Sequence, residues 1–274
     1  MSSGTRWGAS FEGAPLSAME VYDEVLVPRV FEPWAKLLAD QLQVARDEQA
    51  LDVACGPGSV ARVLSERVGV DGRVTACDLS PAMLELANAK LAVFGGAEIT
   101  YLEAPADGLP VEDATFDVAT CQQGLQFFAD RPAAIAEMHR ALRPGGRVGV
   151  AVWTEIERSP TMAAVADAVE QVAGPELATR YRRGPWGFPD PEPLGELLRQ
   201  AGFQEVEVTK HVLPVRYELG APQVASTLPA SGIAEYIEKL EDEQQRQLVD
   251  CLTEITGSGP IDSAMESNVA IATR

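Results

Sequence analysis

Residues 51–58 read LDVACGPG, and this stretch indicates the fold class. It overlaps a short apolar run at 50–54, which is typical of a buried strand and is interrupted only by Asp52. Two glycines follow in a tight turn, and apolar side chains then recur at three- and four-residue intervals through residue 68. A strand, a glycine loop and a helix in this order predict an α/β protein with a parallel sheet.

The same alternation continues on the carboxyl side of the loop. The helices carry start signals, namely Ser80 before the second helix and Asp130 before a later one, which is predicted to stop at Pro144. Further short strands are predicted at 72–77, 99–102, 116–121, 147–153, 203–215 and 267–273. Together with the first strand, they predict a doubly wound, mostly parallel, seven-stranded sheet covered by a helical lid.

The domain organisation follows from the segments that do not fit the sheet. Ligands of such sheets bind at the carboxyl ends of the strands, so the extra segments are expected to form a lid there. We predict an N-terminal helical lid at 1–45 and a sheet domain at 46–274, with cap insertions at about 155–190 and 220–260.

Three local predictions concern these extra segments. Helical periodicity from 17 to 44 is divided by Pro28 and Pro33. Residues 180–191 are rich in Arg, Gly and Pro and are predicted to be a loop, whereas the acidic stretch 233–255 is predicted to be helical.

Composition restricts the class of partner. The 274 residues are 46% hydrophobic and 23% charged, as in an ordinary globular protein, and the formal net charge is −19. Such a surface repels nucleic acid and anionic membranes, so a neutral or cationic small molecule is the expected partner. With neither a signal-peptide pattern nor an apolar run of about 18 residues, a cytoplasmic location is expected.

The four cysteines show neither a CxxC pair nor zinc-site spacing. A reducing compartment is the simplest interpretation. Three of them follow or end predicted strands, but no histidine lies nearby to complete a site, so we predict no metal.

Two carboxylates flank the glycine loop. The pattern Gly56-x-Gly58-x-x-Ala61, with Asp78 at the end of the next strand, formally matches a dinucleotide fingerprint. However, Asp52 beside the loop would repel a pyrophosphate and attract a cation, and Asp78 is placed to bind a ribose. A phosphate-free, cationic nucleoside is therefore favoured, with the alternative that both carboxylates only cap backbone N–H groups.

Four segments, in this order, resemble the motifs of class I S-adenosylmethionine-dependent methyltransferases. They are LDVACGPG (51–58), VTACDLSPAML (74–84), LPVEDATFDVATCQQGLQFF (109–128) and AEMHRALRPGGRVGVAVW (136–153). The chain is similar in particular to the methyltransferase type 11 group, which includes the ubiquinone and menaquinone C-methyltransferases. The resemblance covers residues 45–155 well and 201–206 more weakly, and it implies a Rossmann-like methyltransferase fold.

The resemblance also implies which residues hold the cofactor, S-adenosyl-L-methionine. The family often has an acidic residue where Pro105 stands, so the contact to the adenine amino group is expected from Asp107 or the backbone. Asp52 and the Cys121 carbonyl would face the methionine ammonium, and Asp78 the ribose. The implied cofactor residues are Asp52, Gly56, Pro57, Gly58, Asp78, Leu79, Met83, Ala106, Asp107, Cys121 and Gln122.

The catalytic residues are less constrained by the sequence. Methyl transfer is a direct displacement that needs alignment and, for some acceptors, a base. His139 and His211 are expected to be structural, and the family often has a histidine where Gln126 stands, although glutamine cannot act as a base. Gln126 and, from the lid, Tyr22 are the catalytic candidates, with Asp23 and Glu20 as alternative bases.

Aromatic residues at the predicted mouth favour a hydrophobic or aromatic acceptor, methylated at O, N or C. Trp153, Trp186 and Gln123 are the candidate substrate residues. Two alternatives remain open: a non-methylating reaction such as cyclisation with the same cofactor, and an NAD-dependent oxidoreductase, which Asp52 disfavours. The oligomeric state is open, with a homodimer among the alternatives.

Overall fold

The computed structural model describes residues 18–188 and 190–274. It contains the predicted seven-stranded sheet, with the strand order β3-β2-β1-β4-β5-β7-β6. The strands are β1 (Gln49–Val53), β2 (Arg73–Asp78), β3 (Glu98–Glu103), β4 (Phe116–Gln122), β5 (Leu142–Trp153), β6 (Gln204–Tyr217) and β7 (Ile261–Thr273).

The ladders from β3 to β5 are parallel. Residue Ala50 of β1 lies opposite Val74 of β2 on one side and Val118 of β4 on the other. β7 runs antiparallel to β5. At the start of β5 the Gly145 N–H donates to the Arg274 carbonyl at 2.8 Å, and just after its end the Thr154 N–H donates to the Glu266 carbonyl. The carboxyl ends of β1, β2 and β4 therefore meet at one edge of the sheet.

Helices fill the connections between strands. Ser80 and Asp130 are N-caps as predicted, since their side chains accept hydrogen bonds from the backbone N–H groups of Met83 and Ala133. The helices are α1 (Ala18–Val21), α2 (Glu32–Gln41), α3 (Ser59–Val68), α4 (Pro81–Ala89), α5 (Arg131–Ala141), α6 (Pro160–Ala173), α7 (Pro175–Arg183), α8 (Pro191–Gln200), α9 (Ala221–Ser226), α10 (Ala234–Ile237) and α11 (Asp242–Thr256). None of the helices in the described ranges is long and apolar enough to cross a bilayer.

The chain divides into two compact units. The sheet unit comprises Phe31–Val152, Phe188–His211 and Ser267–Arg274. The helical unit comprises residues 18–30, Trp153–Gly187 and Val212–Glu266. The sequence assigns residues 1–45 to the lid, whereas the sheet unit begins at Phe31 and so includes α2.

The core of the sheet unit explains why α2 belongs to it. A Cβ added at Gly149 of β5 would lie 2.9 Å from Leu38 and 2.8 Å from Leu42, both of which are fully buried. The helix therefore packs directly on the strand, and glycine provides the room.

The helical unit has its own buried side chains. The Trp153 and Trp186 rings lie 5.8 Å apart, and the Tyr181 hydroxyl contacts the Met162 sulfur at 3.5 Å. Aromatic and thioether contacts of this kind stabilise an apolar interior.

Three local predictions were wrong in detail. The segment Pro144-Gly145-Gly146 does not precede the last parallel strand but lies inside β5, because Gly145 adopts a φ of +80° and pairs with Arg274. Residues 180–183 belong to α7, and the acidic stretch 233–255 is divided between α10 and α11. The prediction for 17–44 is confirmed in its described part, which is helical through Gln41 and includes the π-helical segment Tyr22–Phe31 around Pro28.

Candidate active site

The candidate site lies at the carboxyl edge of β1, β2 and β4 in the sheet unit. Ala54, just after β1, and Gln123, just after β4, both have a φ of +57°. Non-glycine residues rarely adopt this left-handed conformation, and such strain is often found at functional sites. A Cβ at Gly124 would lie 2.6 Å from the Ala54 side chain, so the two strained turns pack against each other.

The two glycines of the loop have different structural roles. Gly58 has a φ of +81°, and a Cβ there would lie 2.5 Å from the Tyr101 hydroxyl. Gly56 has a φ of +53°, but an added Cβ would meet no atom within 4 Å. Gly58 is therefore required by packing inside the protein, whereas Gly56 exposes bare backbone to open space, as a ligand-binding loop must.

Tyr101 and Lys90 support this loop, and the sequence analysis missed both. Burial raises the pKa of Tyr101 to about 12, so its hydroxyl stays neutral beside Gly58. The Lys90 ammonium donates a hydrogen bond to the Pro57 carbonyl at 2.9 Å. The sequence around the loop does not indicate either contact, because Lys90 and Tyr101 belong to segments that are distant from the loop in sequence.

Asp52 is buried beneath the glycine loop. It is 1% exposed, and Oδ1 accepts a hydrogen bond from the Thr120 hydroxyl at 2.9 Å. Oδ2 has no hydrogen-bond partner among residues 18–188 and 190–274. Burial raises the pKa of Asp52 to about 7, against the opposing effects of the Thr120 hydrogen bond and of the nearby Ala61 backbone N–H. The site thus contains a buried carboxylate oxygen that lacks a partner.

Asp78 ties β2 to the loop after β1. Its Oδ2 accepts from the Gly56 N–H at 2.7 Å, and its Oδ1 accepts from the Ser80 N–H at 2.9 Å. These are the capping contacts that the sequence analysis left open as the alternative. Each carboxylate oxygen can accept a second hydrogen bond, so the capping contacts are compatible with ribose binding. Ribose binding by Asp78 stays a prediction.

Three cysteines lie near the same edge. Burial raises the pKa of all three thiols, for Cys77 and Cys121 to about 12 and for Cys55 further, so they stay protonated. In the ranges that the structure describes, no three His, Cys, Asp or Glu side chains are grouped so as to hold a metal ion.

Three buried glutamines lie at the end of β4 and just after it, and each side-chain nitrogen donates a hydrogen bond. The Gln122 Nε2 donates to the Phe31 carbonyl at 3.0 Å, the Gln123 Nε2 to the Ser267 hydroxyl at 3.1 Å, and the Gln126 Nε2 to the Gln123 Oε1 at 3.4 Å. The Oε1 atoms of Gln122 and Gln126 are buried and have no hydrogen-bond partner in the described part of the chain.

The residues predicted to bind adenine lie directly after β2, in the first turn of α4 and after β3. Leu79 is 67% exposed, Met83 and Ala106 are half-buried, and Asp107 is exposed. The Ala104 N–H donates to the Asp78 carbonyl at 3.0 Å, which places the chain after β3 beside the end of β2. Their contacts with adenine stay predictions.

The remaining candidates for the catalytic and substrate roles belong to the helical unit, and the two histidines contact neighbouring side chains. Tyr22 is half-buried at the start of the π-helical segment Tyr22–Phe31, and the Trp153 and Trp186 rings are in contact within the helical unit. His139 packs its ring edge-on against Phe203 at 4.9 Å, and a ring nitrogen of His211 lies 2.9 Å from the Thr209 hydroxyl.

These features fit S-adenosylmethionine. A sulfonium nucleoside carries an ammonium group, for which the Asp52 Oδ2 is a buried anionic acceptor without a partner. The open space at Gly56 admits close approach of a ligand to the backbone, and no phosphate has to be accommodated beside the two carboxylates. Gln122 adds a fixed amide oxygen at the end of β4.

Comparison with known proteins agrees with this chemistry. The model of the ubiE/COQ5 methyltransferase family matches residues 16–216. The demethylmenaquinone methyltransferase of Lactococcus lactis is 37% identical over 174 residues, which cover 59% of this chain and 68% of that protein. The ubiquinone/menaquinone biosynthesis C-methyltransferase of Idiomarina loihiensis is 29% identical over 199 residues, covering 69% of this chain and 79% of that protein.

Solved structures show the same fold. A protein from Bacillus halodurans superposes with a TM-score of 0.57 at 21% identity, covering 87% of this chain and 97% of that one. The fold also resembles that of the (4+2)-cyclase SpnF, with a TM-score of 0.53 at 20% identity, covering 89% of this chain and 80% of that one. The match to a methyltransferase family argues against the alternative of an NAD-dependent oxidoreductase. The chain belongs to the ubiE/COQ5 methyltransferase family and is an S-adenosylmethionine-dependent methyltransferase.

Proposed function

We propose that this methyltransferase acts on an apolar aromatic acceptor of the quinol or phenol type. The names of the curated relatives, which methylate demethylmenaquinone or related quinones, support this acceptor class. The acidic surface supports it too, because a net charge of −19 disfavours polyanionic acceptors.

The cofactor roles that we propose follow from the carboxyl edge of the sheet. The observation that carries them is the buried Asp52 Oδ2 without a partner, which suits an ammonium group. Asp78 receives the ribose, and Gly56, Pro57 and Gly58 form the backbone cradle. Cys121 offers its carbonyl and Gln122 its free amide oxygen to the methionine end.

Adenine is assigned to Leu79, Met83, Ala106 and Asp107. Leu79 is an exposed apolar side chain directly after Asp78, a position at which a stacked base would cover it. Because Pro105 cannot accept a hydrogen bond from the adenine amino group through its side chain, we assign that contact to Asp107 or the backbone.

The bound cofactor supplies an electrophilic methyl group on a sulfonium. The protein aligns the acceptor with that group and excludes water. Gln126 is neutral and does not titrate, so it orients the acceptor instead of acting as a base, and Tyr22 is our candidate for a hydroxyl of the helical unit that contacts the acceptor.

The helical unit contains two further candidates for binding the acceptor, Trp153 and Trp186. Its Trp153–Trp186 pair supplies apolar ring surface, and the buried Trp186 indole N–H has no partner among the described residues. A ring-shaped acceptor bearing an oxygen would satisfy both features. Gln123, in the sheet unit, is assigned to the acceptor through its contact with Gln126.

Calorimetric titration with S-adenosylhomocysteine tests the cofactor site. We expect binding by the wild type and a loss of at least about tenfold in affinity in Asp52→Ala, since charged hydrogen bonds contribute about 1.5–3 kcal/mol. Asp167→Ala, at an exposed carboxylate of α6, is the control. Absence of binding by the wild type would refute the proposed site.

Methyl transfer to a reduced 2-prenyl-1,4-naphthoquinone, followed by mass spectrometry, tests the acceptor class. We expect a mass increase of one methyl group together with one equivalent of S-adenosylhomocysteine. Consumption of a substrate without S-adenosylhomocysteine would instead favour the non-methylating alternative.

A further inference from the structure

The side-chain oxygen of Gln126 is a buried hydrogen-bond acceptor that the protein leaves unused. Gln126 is 6% exposed and lies in the single 3₁₀ turn Leu125–Phe127 that follows β4. Its nitrogen donates to Gln123, and its Oε1 has no partner within residues 18–188 and 190–274. Buried polar atoms are nearly always hydrogen-bonded, so this exception requires an explanation.

The orientation of this amide is fixed by a chain of donors. The Ser267 hydroxyl donates its proton to the Val152 carbonyl at 2.8 Å, so it can only accept from Gln123. Gln123 therefore turns its nitrogen toward Ser267, at 3.1 Å, and its oxygen toward Gln126. Gln126 must then present its nitrogen to Gln123, which leaves its oxygen as the free group.

The backbone of the turn is held from a second direction. Arg131 donates to the Leu125 carbonyl at 3.2 Å and to the Gln126 carbonyl at 2.8 Å, and its guanidinium lies 4.7 Å from the centre of the Phe188 ring. Gln126 is consequently fixed at both its backbone and its amide, and its oxygen cannot turn away to find another donor.

A fixed, neutral and buried hydrogen-bond acceptor favours a ligand that carries a hydrogen-bond donor. An amide oxygen satisfies an O–H group without taking its proton, whereas an ether or a hydrocarbon leaves it unpaired. We propose that Gln126 Oε1 accepts a hydrogen bond from a hydroxyl group of the methyl acceptor, so that the enzyme selects phenols, enols or quinols over their ethers. This inference rests on the proposed function of the same site.

Ligand-observed NMR on the full chain with saturating S-adenosylhomocysteine tests the proposal with two probes, 1-naphthol and 1-methoxynaphthalene. We expect the wild type to bind 1-naphthol roughly tenfold more tightly, the magnitude expected of one hydrogen bond in a buried site. In Gln126→Met, which keeps the length of the side chain but lacks the acceptor, the two probes should bind within about twofold of each other.

The matched control is Gln223→Met. Gln223 is also a buried glutamine, but its Oε1 already accepts from the Leu219 N–H at 3.1 Å. This variant should retain the preference for 1-naphthol. If Gln126→Met does not fold, Ser267→Ala, which removes the hydroxyl that orients Gln123, should weaken the preference instead.

The outcomes separate the two proposals. Failure of the wild type to bind S-adenosylhomocysteine would refute the proposed function. Binding of S-adenosylhomocysteine with equal affinity for the two probes, with no affinity for either, or with a preference that persists in Gln126→Met, would overturn only the role of Gln126.

Discussion

The Asp78 carboxylate accepts a hydrogen bond from the Gly56 N–H at 2.7 Å, which joins the end of β2 to the loop after β1. One residue thus shapes the glycine loop and, in our proposal, binds the ribose. Removal of the carboxylate should therefore lower both the affinity for the cofactor and the free energy of unfolding.

We expect Asp78→Asn to weaken S-adenosylhomocysteine binding by about tenfold or more and to lower the free energy of unfolding by about 1 kcal/mol. The asparagine keeps one acceptor oxygen but cannot accept from both Gly56 and Ser80. Calorimetry and urea unfolding measure the two effects.

Asp117→Asn is the control for this prediction. The Asp117 Oδ2 accepts from the Gln49 N–H at 2.8 Å, at the opposite edge of the sheet. A similar stability loss with unchanged cofactor affinity is expected there, and equal affinity losses in both variants would contradict the role of Asp78.

The two loop glycines should respond differently to alanine. Gly58→Ala introduces a clash with the Tyr101 hydroxyl in addition to an unfavourable φ, so we expect a loss of about 2–3 kcal/mol in the free energy of unfolding. Removing the hydroxyl in Gly58→Ala/Tyr101→Phe should restore part of that loss. Gly56→Ala should cost only about 1 kcal/mol, because its Cβ meets no protein atom, but should weaken cofactor binding.

Gly95→Ala serves as the reference for these variants, since Gly95 also has a positive φ, at +71°, and open space around it. It should lose stability as Gly56→Ala does, with no change in affinity. Chemical unfolding combined with titration of S-adenosylhomocysteine distinguishes the three cases.

Cofactor binding should release protons from Asp52. Its pKa of about 7 leaves the carboxyl largely protonated at pH 6, and a bound ammonium favours the charged form. Affinity should therefore rise between pH 6 and 8. Calorimetry at pH 6.5 in buffers of different ionisation enthalpy should show proton release in the wild type and none in Asp52→Asn, and equal release in both would contradict the assignment.

The same carboxyl should affect stability without cofactor. A folded-state pKa raised from 3.8 to about 7 means that the unfolded chain ionises first, so stability falls as the pH rises through this interval. Asparagine does not ionise, and Asp52→Asn should therefore gain stability relative to the wild type between pH 4 and 8. Urea unfolding at several pH values measures the difference, and a constant difference would show that the pKa is not raised.

Thiol labelling should be confined to one cysteine. Burial raises the pKa of all four thiols, but Cys55, Cys77 and Cys121 are buried, whereas Cys251 is only half-buried on α11. Native protein at pH 8 should consume about one equivalent of a disulfide reagent, and Cys251→Ser about none. Rapid labelling of a second thiol in the native state would contradict the prediction that only Cys251 reacts.

Much of the fold could be predicted from the sequence because its signals are local. The N-caps Ser80 and Asp130 and the periodicity of the strands lie within a few residues of the structure that they determine. The Pro144-Gly145-Gly146 segment was misplaced for the opposite reason, because its strand pairing depends on Arg274 at the other end of the chain.

The candidate site divides in the same way. By itself, the sequence determined the motif order, the glycine loop and the two carboxylates, from which the family and the cofactor followed. Only the tertiary structure decided that Gly58 accommodates Tyr101, that Asp78 binds Gly56, and that Ser267 orients Gln123 and Gln126. These contacts join distant segments, and the identity of a partner across a sheet is fixed by register and packing, which periodicity along the chain does not encode.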